Sequence, residues 1–400
     1  MAGPGSLRVA IVGGSIGGLT AAVLLRDLGC MVEVFERSAA ELQGRGAGIV
    51  VHEMSVRYLV ENRIADIDAL SLASHRHVHV DAGGATIHDD PIAYRYTSWN
   101  TLYRNLLRSL GSDRYHLGHA VTGFHDTGRE VVVGTAAGET ACDLLICADG
   151  VASTGRAMLQ PQAQPQYAGY VGWRGTVPET VLGPSARSSL EDTLIYHWTG
   201  SSHILAYMIP GTSGEVRAGR RLVNFVWYRN VPELRLSELM TDIARVEHSL
   251  SLPPGSVREP HLQELRHAAR SLPRVLAELV LATTEPFIQK IVDVEVDSMA
   301  FGRICLLGDA AFTARPHTAA GTAKAAADAW ALAEALRTHG EVSVALAAWE
   351  SRQLPVGRQL VARARDLGER SQVRGGWRPD DPYQRFGLWA PGDSRITAIA

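Results

Sequence analysis

The sequence predicts an α/β protein in which a discontinuous parallel layer is interrupted by an inserted antiparallel sheet and followed by C-terminal helices. Three observations carry this reading. The chain opens as strand, glycine turn, helix, strand ("LRVAIVGGS", "IGGLTAAVLLRDLG", "CMVEVFER"), with Gly29 ending the helix, the pattern of a right-handed βαβ unit of about thirty residues. From about Tyr167 to Lys290 the pattern changes to longer strands with polar and aromatic alternation ("YAGYVGWRGTV", "TLIYHWTGSSHILAYMIPG", "RLVNFVWYRNV"), as expected of an antiparallel sheet with one covered face. "FGRICLLGDA" then returns to a buried, parallel-type strand. The expected boundaries are 1–74, 96–166 and 291–350 for the first domain, 75–95 and 167–290 for the inserted sheet, and 351–400 for a C-terminal helix and tail.

Between these landmarks the elements follow in order. A helix ("SVRYLVENRI") leads to a strand pair ("HRHVHVDAGGATIHDD") turning at Gly83-Gly84. A helix around "NTLYRNLLRSLG", the short strands "HAVTGF" and "EVVVGT", and the strand in "ACDLLICADG" come next. His75, His77 and His79 alternate along one strand and so share a face. With no carboxylate at matching spacing, and Val78 and Val80 opposite, the expectation is a solvated polar face and no metal site. The Arg-rich tail from Arg352 to Arg374 is interrupted by acidic residues and lacks interleaved aromatics, so it reads as a docking helix or subunit contact and not as a nucleic-acid surface.

Composition narrows the partners. Hydrophobic residues make up 46% and charged residues 20% of the chain, enough to bury a large core. A net charge of −3 and a pI near 6.6 provide no global field for nucleic acid or an anionic membrane. No apolar run approaches the ~18 residues that a membrane crossing needs, and the first strand starts too early to leave room for a signal peptide, so a cytoplasmic setting is expected. Cys30, Cys142, Cys147 and Cys305 include no CxxC pair and read as buried small hydrophobes.

Three motifs carry chemistry. In "IVGGSIGGL" the dinucleotide fingerprint is met at Gly13 and Gly18 with Ser15 at its middle position. Gly13 permits the tight turn, a small residue at 15 lets a pyrophosphate approach the backbone, and Gly18 lets helix and strand pack closely. Glu36, at the end of the second strand, is placed to accept ribose hydroxyls and would repel a 2′-phosphate, which suits the ADP half of FAD or NAD. The second motif, "DLLICADGVASTGR", ends a strand in the Asp149-Gly150 turn, with Ser153 and Arg156 beyond it to fix the loop. The third, "LLGDAAFTARPHTAAGTAKAAADA", runs from a strand through Asp309 and Pro316 into a helix almost stripped of side chains. Such a helix end lets a large anionic ligand lie against backbone N–H groups and the positive end of the dipole.

Together the three motifs resemble the flavin-dependent aromatic hydroxylases of the para-hydroxybenzoate hydroxylase type. Gly308, Asp309, Ala310, Ala311, Pro316, Gly321, Ala325, Asp328, Ala329, Leu332, Ala333 and Leu336 stand in register with the pattern of that family. Its dihydroxypyridine 3-hydroxylases share "GIVV", "GWRG", "NFxWYxN" and "RPHxAAGxAKA" with this chain. Ala319, Ala323 and Phe312 depart from the broader pattern, and Trp99 stands where many relatives carry an Arg that contacts FAD. The resemblance implies a discontinuous Rossmann-like FAD-binding domain. It implies FAD along Gly13, Ser15, Ile16, Gly18, Glu36, Arg37, Val50, His52, Val121, Asp149, Asp309, Ala319, Ala320, Gly321 and Thr322, with Asp309 on the ribityl chain.

The chemistry implied is that NADH or NADPH reduces FAD, O2 adds at flavin C4a, and the hydroperoxide transfers its distal OH to an electron-rich ring, a hydroxypyridine or phenol. The protein then supplies positioning, exclusion of water and proton handling. The aromatic substrate is expected between the flavin and the inserted sheet, near Tyr207, Trp227, Tyr228 and Pro316. His317 or His203 is the expected proton acceptor for a ring hydroxyl, since a histidine is a natural base at neutral pH; the alternative is a hydrogen-bonded structural histidine. No second nucleotide fingerprint appears, which leaves NADH versus NADPH open. A homo-oligomer is likewise open, dimers being the commonest assembly. The competing readings are a non-oxygenating flavin oxidoreductase of the same fold and a non-catalytic flavin-binding regulator.

Overall fold

The computed structural model describes residues 7–42, 44 and 47–394; residues 1–6 and 395–400 of the boundaries above lie outside the described residues. The first sheet has six strands in the order Ala300–Phe301, Ile304–Leu306, Leu144–Cys147, Arg8–Val12, Met31–Glu36, Tyr115–Leu117. All neighbours are parallel except the Ala300–Phe301 hairpin partner. Val9 lies across from Leu144 on one side and Val32 on the other. Crossover helices cover parallel sheets on both faces, which is why these strands are apolar at consecutive positions and Ile11, Val32, Val34, Ile146 and Cys147 are fully buried.

The Ile16–Asp27 and Gly321–Thr338 helices pack together over this sheet. Their approach depends on a missing side chain, since a Cβ on Gly17 would lie 3.1 Å from the Ala325 Cβ; Gly18 in turn lets the first helix close on its own turn, where a Cβ would lie 2.0 Å from the Gly13 carbonyl oxygen. The four cysteines are buried thiols.

The second sheet has nine strands, in the order Ser251–Leu252, Phe287–Asp293, Gln166–Pro178, Leu222–Asn230, His203–Ile209, Thr193–Trp198, Leu72–Val80, Thr86–Ser98, Gly48–Val50. Thr193–Trp198 runs parallel to Leu72–Val80, and the other pairs are antiparallel. Gly48–Val50 thus joins this sheet, although it falls within the stretch 1–74. The sheet is covered on both faces, not one. The short helices Pro184–Leu190, Glu233–Leu239, Glu259–Ala269 and Arg274–Ala282 bury Val171, Trp173 and Phe225 on one side. The other side presents an aromatic layer including Tyr170, Tyr196, Tyr207 and Tyr228, towards the Val342–Gln372 helix.

The expectation for the histidine strand is corrected. A register shift between Ser74 and Arg76 breaks the histidine alternation. His75 is exposed beside Asp192 at 2.7 Å, whereas His77 and His79 turn inward, with His79 stacked on Tyr196 at 5.3 Å. They form a desolvated aromatic cluster, not a solvated face, and burial holds His77 down to about 3. Among the described residues no group of three or more His, Cys, Asp or Glu side chains is placed to hold a metal ion.

The Arg-rich stretch Arg352–Arg374 runs along the Val342–Gln372 helix, whose Leu367 packs into the aromatic layer. After Gln372 the chain folds back as a strap whose Tyr383 and Gly387 carbonyls accept from Arg363 at 3.1 Å, while Arg385 reaches Asp90 at 2.9 Å. No helix among the described residues is long and apolar enough to cross a membrane.

Inside the bare helix, Lys324 and Asp328 form an ion pair at 2.6 Å with side chains 1% and 0% exposed, and Asp328 also accepts from the Gly308 N–H at 2.9 Å. Removing one partner leaves a buried charge uncompensated, so Lys324→Met should cost about 3–5 kcal/mol in urea unfolding. An unchanged unfolding midpoint would contradict this placement of the pair.

Candidate active site

Three cavities lead from the end of the six-stranded sheet to the face of the nine-stranded one. The outer one, about 210 Å³, is lined by Gly13, Glu36, Arg37, Val121 and Asp149. The middle one, about 400 Å³, is lined by Ser15, Ile16 and Gly17 on one helix end and Gly321, Thr322 and Ala325 on the other, with Asp309 and Arg174 between. The inner one, also about 400 Å³, shares Asp309, Arg174, Gly321 and Thr322 with the middle and continues past Pro316 to His317, His203, Tyr207 and Tyr228.

The residues present fit FAD. Gly13 has φ +98°, and a Cβ there would lie 2.5 Å from the Ala148 carbonyl oxygen, so the turn beneath a pyrophosphate can only be bare. Neither helix has a side-chain N-cap or an acidic residue in its first turn, so the first N–H groups and the positive dipole end of each face the middle cavity. Glu36 is 6% exposed and is oriented by the Gly14 and Ser38 N–H groups at 3.0 and 2.8 Å. In the second motif the Asp149 carboxylate accepts from Ser153 Oγ and the Thr154 N–H, holding its own turn. Arg156 donates to the Ala310 carbonyl at 3.0 Å, which ties the second motif to the third.

Ala319 takes the left-handed conformation (φ +54°) at the position where the family pattern has glycine. His52 Nε2 lies 3.1 Å from its carbonyl oxygen. His52 therefore braces the Ala319–Thr322 loop, and Gly18 packs against the Gly13 turn.

The inner cavity is an aromatic and histidine box. His203 and His317 are 1% and 4% exposed, with ring centroids 5.4 Å apart. Burial, aided by His79, holds His203 down to about 3. Burial, with His203 and Arg315 nearby, holds His317 well below its ordinary value. Both are therefore neutral at physiological pH. Tyr207 stacks on Tyr96 at 4.1 Å, and burial keeps Tyr228 and Tyr196 protonated. Trp227 is not part of the box. Alternate residues of a strand face opposite ways, so Val226 and Tyr228 line the cavity while Trp227 packs on the far side, its Nε1 donating to Ser202 Oγ at 3.0 Å.

Sequence reasoning missed four residues here. Tyr170 bonds His317, Arg174 spans the middle and inner cavities, Gln372 bonds His203, and Trp377 stacks on His203 at 5.4 Å. "GWRG" was a signal for Arg174; nothing local marked the tail residues Gln372 and Trp377. Trp99, in place of the expected Arg, lines the middle cavity and stacks on Tyr103 at 4.8 Å.

Burial raises the Asp309 carboxyl to about 6, against the pull of Lys324. A carboxyl that holds its proton more tightly folded than unfolded costs stability as pH rises from about 4 through 6, and the loss persists above that window. Asp309→Asn should therefore raise the melting temperature of the cofactor-free protein at pH 8, with the gain shrinking on acidification. It should also weaken FAD binding about tenfold by titration. Equal melting at pH 8 would contradict the desolvated placement of Asp309.

Known proteins match this architecture. A family model described as FAD binding domain-like matches residues 167–293. The chain is 37% identical over 388 residues to the 2,6-dihydroxypyridine 3-monooxygenase of Paenarthrobacter nicotinovorans, covering 96% of each. It is 30% identical over 395 residues to the 3-amino-4-hydroxybenzoate 2-monooxygenase of Streptomyces cremeus, covering 95% of this chain and 91% of that one. Its structure matches that of 2,6-dihydroxypyridine-3-hydroxylase from Arthrobacter nicotinovorans with a TM-score of 0.91 at 37% identity, over 96% and 97% of the two chains. With the bare double helix end and the histidine-lined inner cavity, these likenesses establish that the chain belongs to the class A flavin hydroxylases and is an FAD-dependent aromatic-ring monooxygenase.

Proposed function

We propose that the ring hydroxylated is an electron-rich hydroxypyridine or phenol, bound in the inner cavity and deprotonated there by a buried histidine. The observation that carries this reading is His317: its Nδ1 is buried without a partner and the residue lines the cavity. Loss of a ring proton raises electron density at the ortho and para carbons, the positions that an electrophilic oxygen attacks, and a neutral imidazole can take that proton. A relative whose name specifies dihydroxypyridine, identical at 37% of positions, supports the substrate class.

FAD, reduced by NADH or NADPH, supplies the electrophilic oxygen from O2. The chain's residues do the rest. The two bare helix ends, Glu36 and Asp309 hold the cofactor. Tyr207, Tyr228 and Pro316 confine the ring, and the aromatic layer with the strap excludes water. In this proposal the cofactor belongs chiefly to the six-stranded sheet and the substrate to the nine-stranded one. NAD(P)H binds transiently at a site without its own fingerprint. Work in the cytoplasm, where NAD(P)H is regenerated, and assembly as a homo-oligomer belong to the same reading.

His317→Ala should lower hydroxylation of 2,6-dihydroxypyridine about a hundredfold while FAD stays bound, read as product formed per NAD(P)H oxidised with O2 uptake. Unchanged turnover at saturating substrate would remove His317 from the reaction. Failure of the unaltered enzyme to hydroxylate any hydroxypyridine or phenol would overturn the substrate class.

A further inference from the structure

His203 and His317 face the same cavity, but their second nitrogens meet different chemistry. Gln372 Nε2 lies 2.8 Å from His203 Nδ1. With the Gln372 amide assigned this way round, its Oε1 buried without a partner, Nδ1 accepts and the proton of the neutral ring sits on Nε2. His203 can then offer a hydrogen to the cavity and has no lone pair left to take one. His317 Nε2 instead lies 2.7 Å from the Tyr170 hydroxyl, which can donate or accept. That partner lets the ring carry its proton on Nε2 and leave the Nδ1 lone pair unpaired, and Nδ1 is the buried nitrogen without a partner.

The surroundings fit this division. Tyr170 and His317 are 0% and 4% exposed. Helix residue Gly368 makes room for the pair: a Cβ there would lie 2.4 Å from the Tyr170 hydroxyl and 3.1 Å from His317 Cδ2. The groups facing His317 are Tyr170, Tyr228, His203 and Arg315. Arg315 is held by Asp293 at 2.8 Å, and Arg365 shares that carboxylate.

We infer that Tyr170 is the positioning residue that makes His317 the proton acceptor for the ring hydroxyl, while Gln372 makes His203 a hydrogen-bond donor that holds the substrate. This rests on the proposed deprotonation of a hydroxypyridine or phenol. The ring O–H bond breaks, its proton joins His317 Nδ1, and the electron pair stays on the ring oxygen. The imidazolium formed donates from Nε2 to the Tyr170 oxygen, so the bond already present becomes charge-assisted once the proton has moved.

The test uses FAD-loaded enzyme and 2,6-dihydroxypyridine, with kcat and KM for hydroxylation measured across the pH at which the ring hydroxyl ionises in solution. Tyr170→Phe should lower kcat about tenfold to a hundredfold on the acid side and recover towards the unaltered enzyme on the alkaline side, where the substrate arrives already ionised. His317→Gln should show the same recovery from a deeper loss. His203→Gln should raise KM at every pH with no recovery. A merely structural defect is not cured by ionising the substrate.

Should Tyr170→Phe retain too little FAD to assay, Gly368→Ala crowds the same pair from the helix and should give the same alkaline recovery. A Tyr170→Phe profile matching the unaltered enzyme, beside a pH-dependent loss in His317→Gln, would overturn the role of Tyr170. Alkaline recovery in His203→Gln would reverse the assignment of the two histidines. A normal profile in His317→Gln would defeat the underlying deprotonation reading, a separate failure.

Discussion

The structure depends on one steric constraint: two helix N-termini, separated by some three hundred residues of chain, must open side by side onto one groove with nothing between them and the ligand. Backbone N–H groups reach only as far as a hydrogen bond, so any side chain at the contact would push the cofactor out of range. The bareness is built in three places. Gly13 turns with φ +98° against Ala148, Gly18 closes on the Gly13 carbonyl, and Gly308 sits against Ala325, where a Cβ would approach to 2.9 Å. The buried Lys324–Asp328 pair and the Asp328 bond to Gly308 lock the second helix to its strand. Arg156 ties the remaining motif to the same turn.

The second sheet answers a different demand, an aromatic-walled chamber at the end of the groove. Its cavity face is aromatic, and its histidines are held neutral by burial and not by carboxylate partners. In the proposed reading desolvation does two jobs: it would shield oxygen transfer from water, and it keeps the two imidazoles neutral. The C-terminal strap completes the chamber, with Trp377 stacked on His203 and Phe386 at the wall.

Much of this was legible in the sequence. The glycine turn, Glu36 and the depleted helix after Asp309 each state a local steric or electrostatic need, and local needs are written in adjacent residues. The run of apolar residues in "LLICAD" and "RICLLGD" similarly betrayed strands buried on both faces. What was not legible depended on facing and long-range return. Trp227 and Tyr228 are neighbours in sequence but lie on opposite faces of a sheet covered on both sides, so polarity alone could not orient them. The histidine alternation failed because of a single register shift after Ser74. Gln372 and Trp377 lie in a tail whose charge looked made for solvent or a partner, and only the fold-back brings them against His203. Tyr170 reads as one more strand aromatic until Gly368, nearly two hundred residues later, leaves space beside it.

The central claim is that the two bare helix ends and Glu36 grip one long cofactor along its length, so the adenylate and flavin halves must both contribute to binding. Calorimetric titration of the cofactor-free protein with FAD and with FMN measures this directly. The account predicts that FAD binds at least about a hundredfold more tightly, because the second half of the ligand binds from an already tethered state. Equal affinity for FMN and FAD would contradict it, since the outer cavity at Gly13 and Glu36 would then play no part in holding the cofactor.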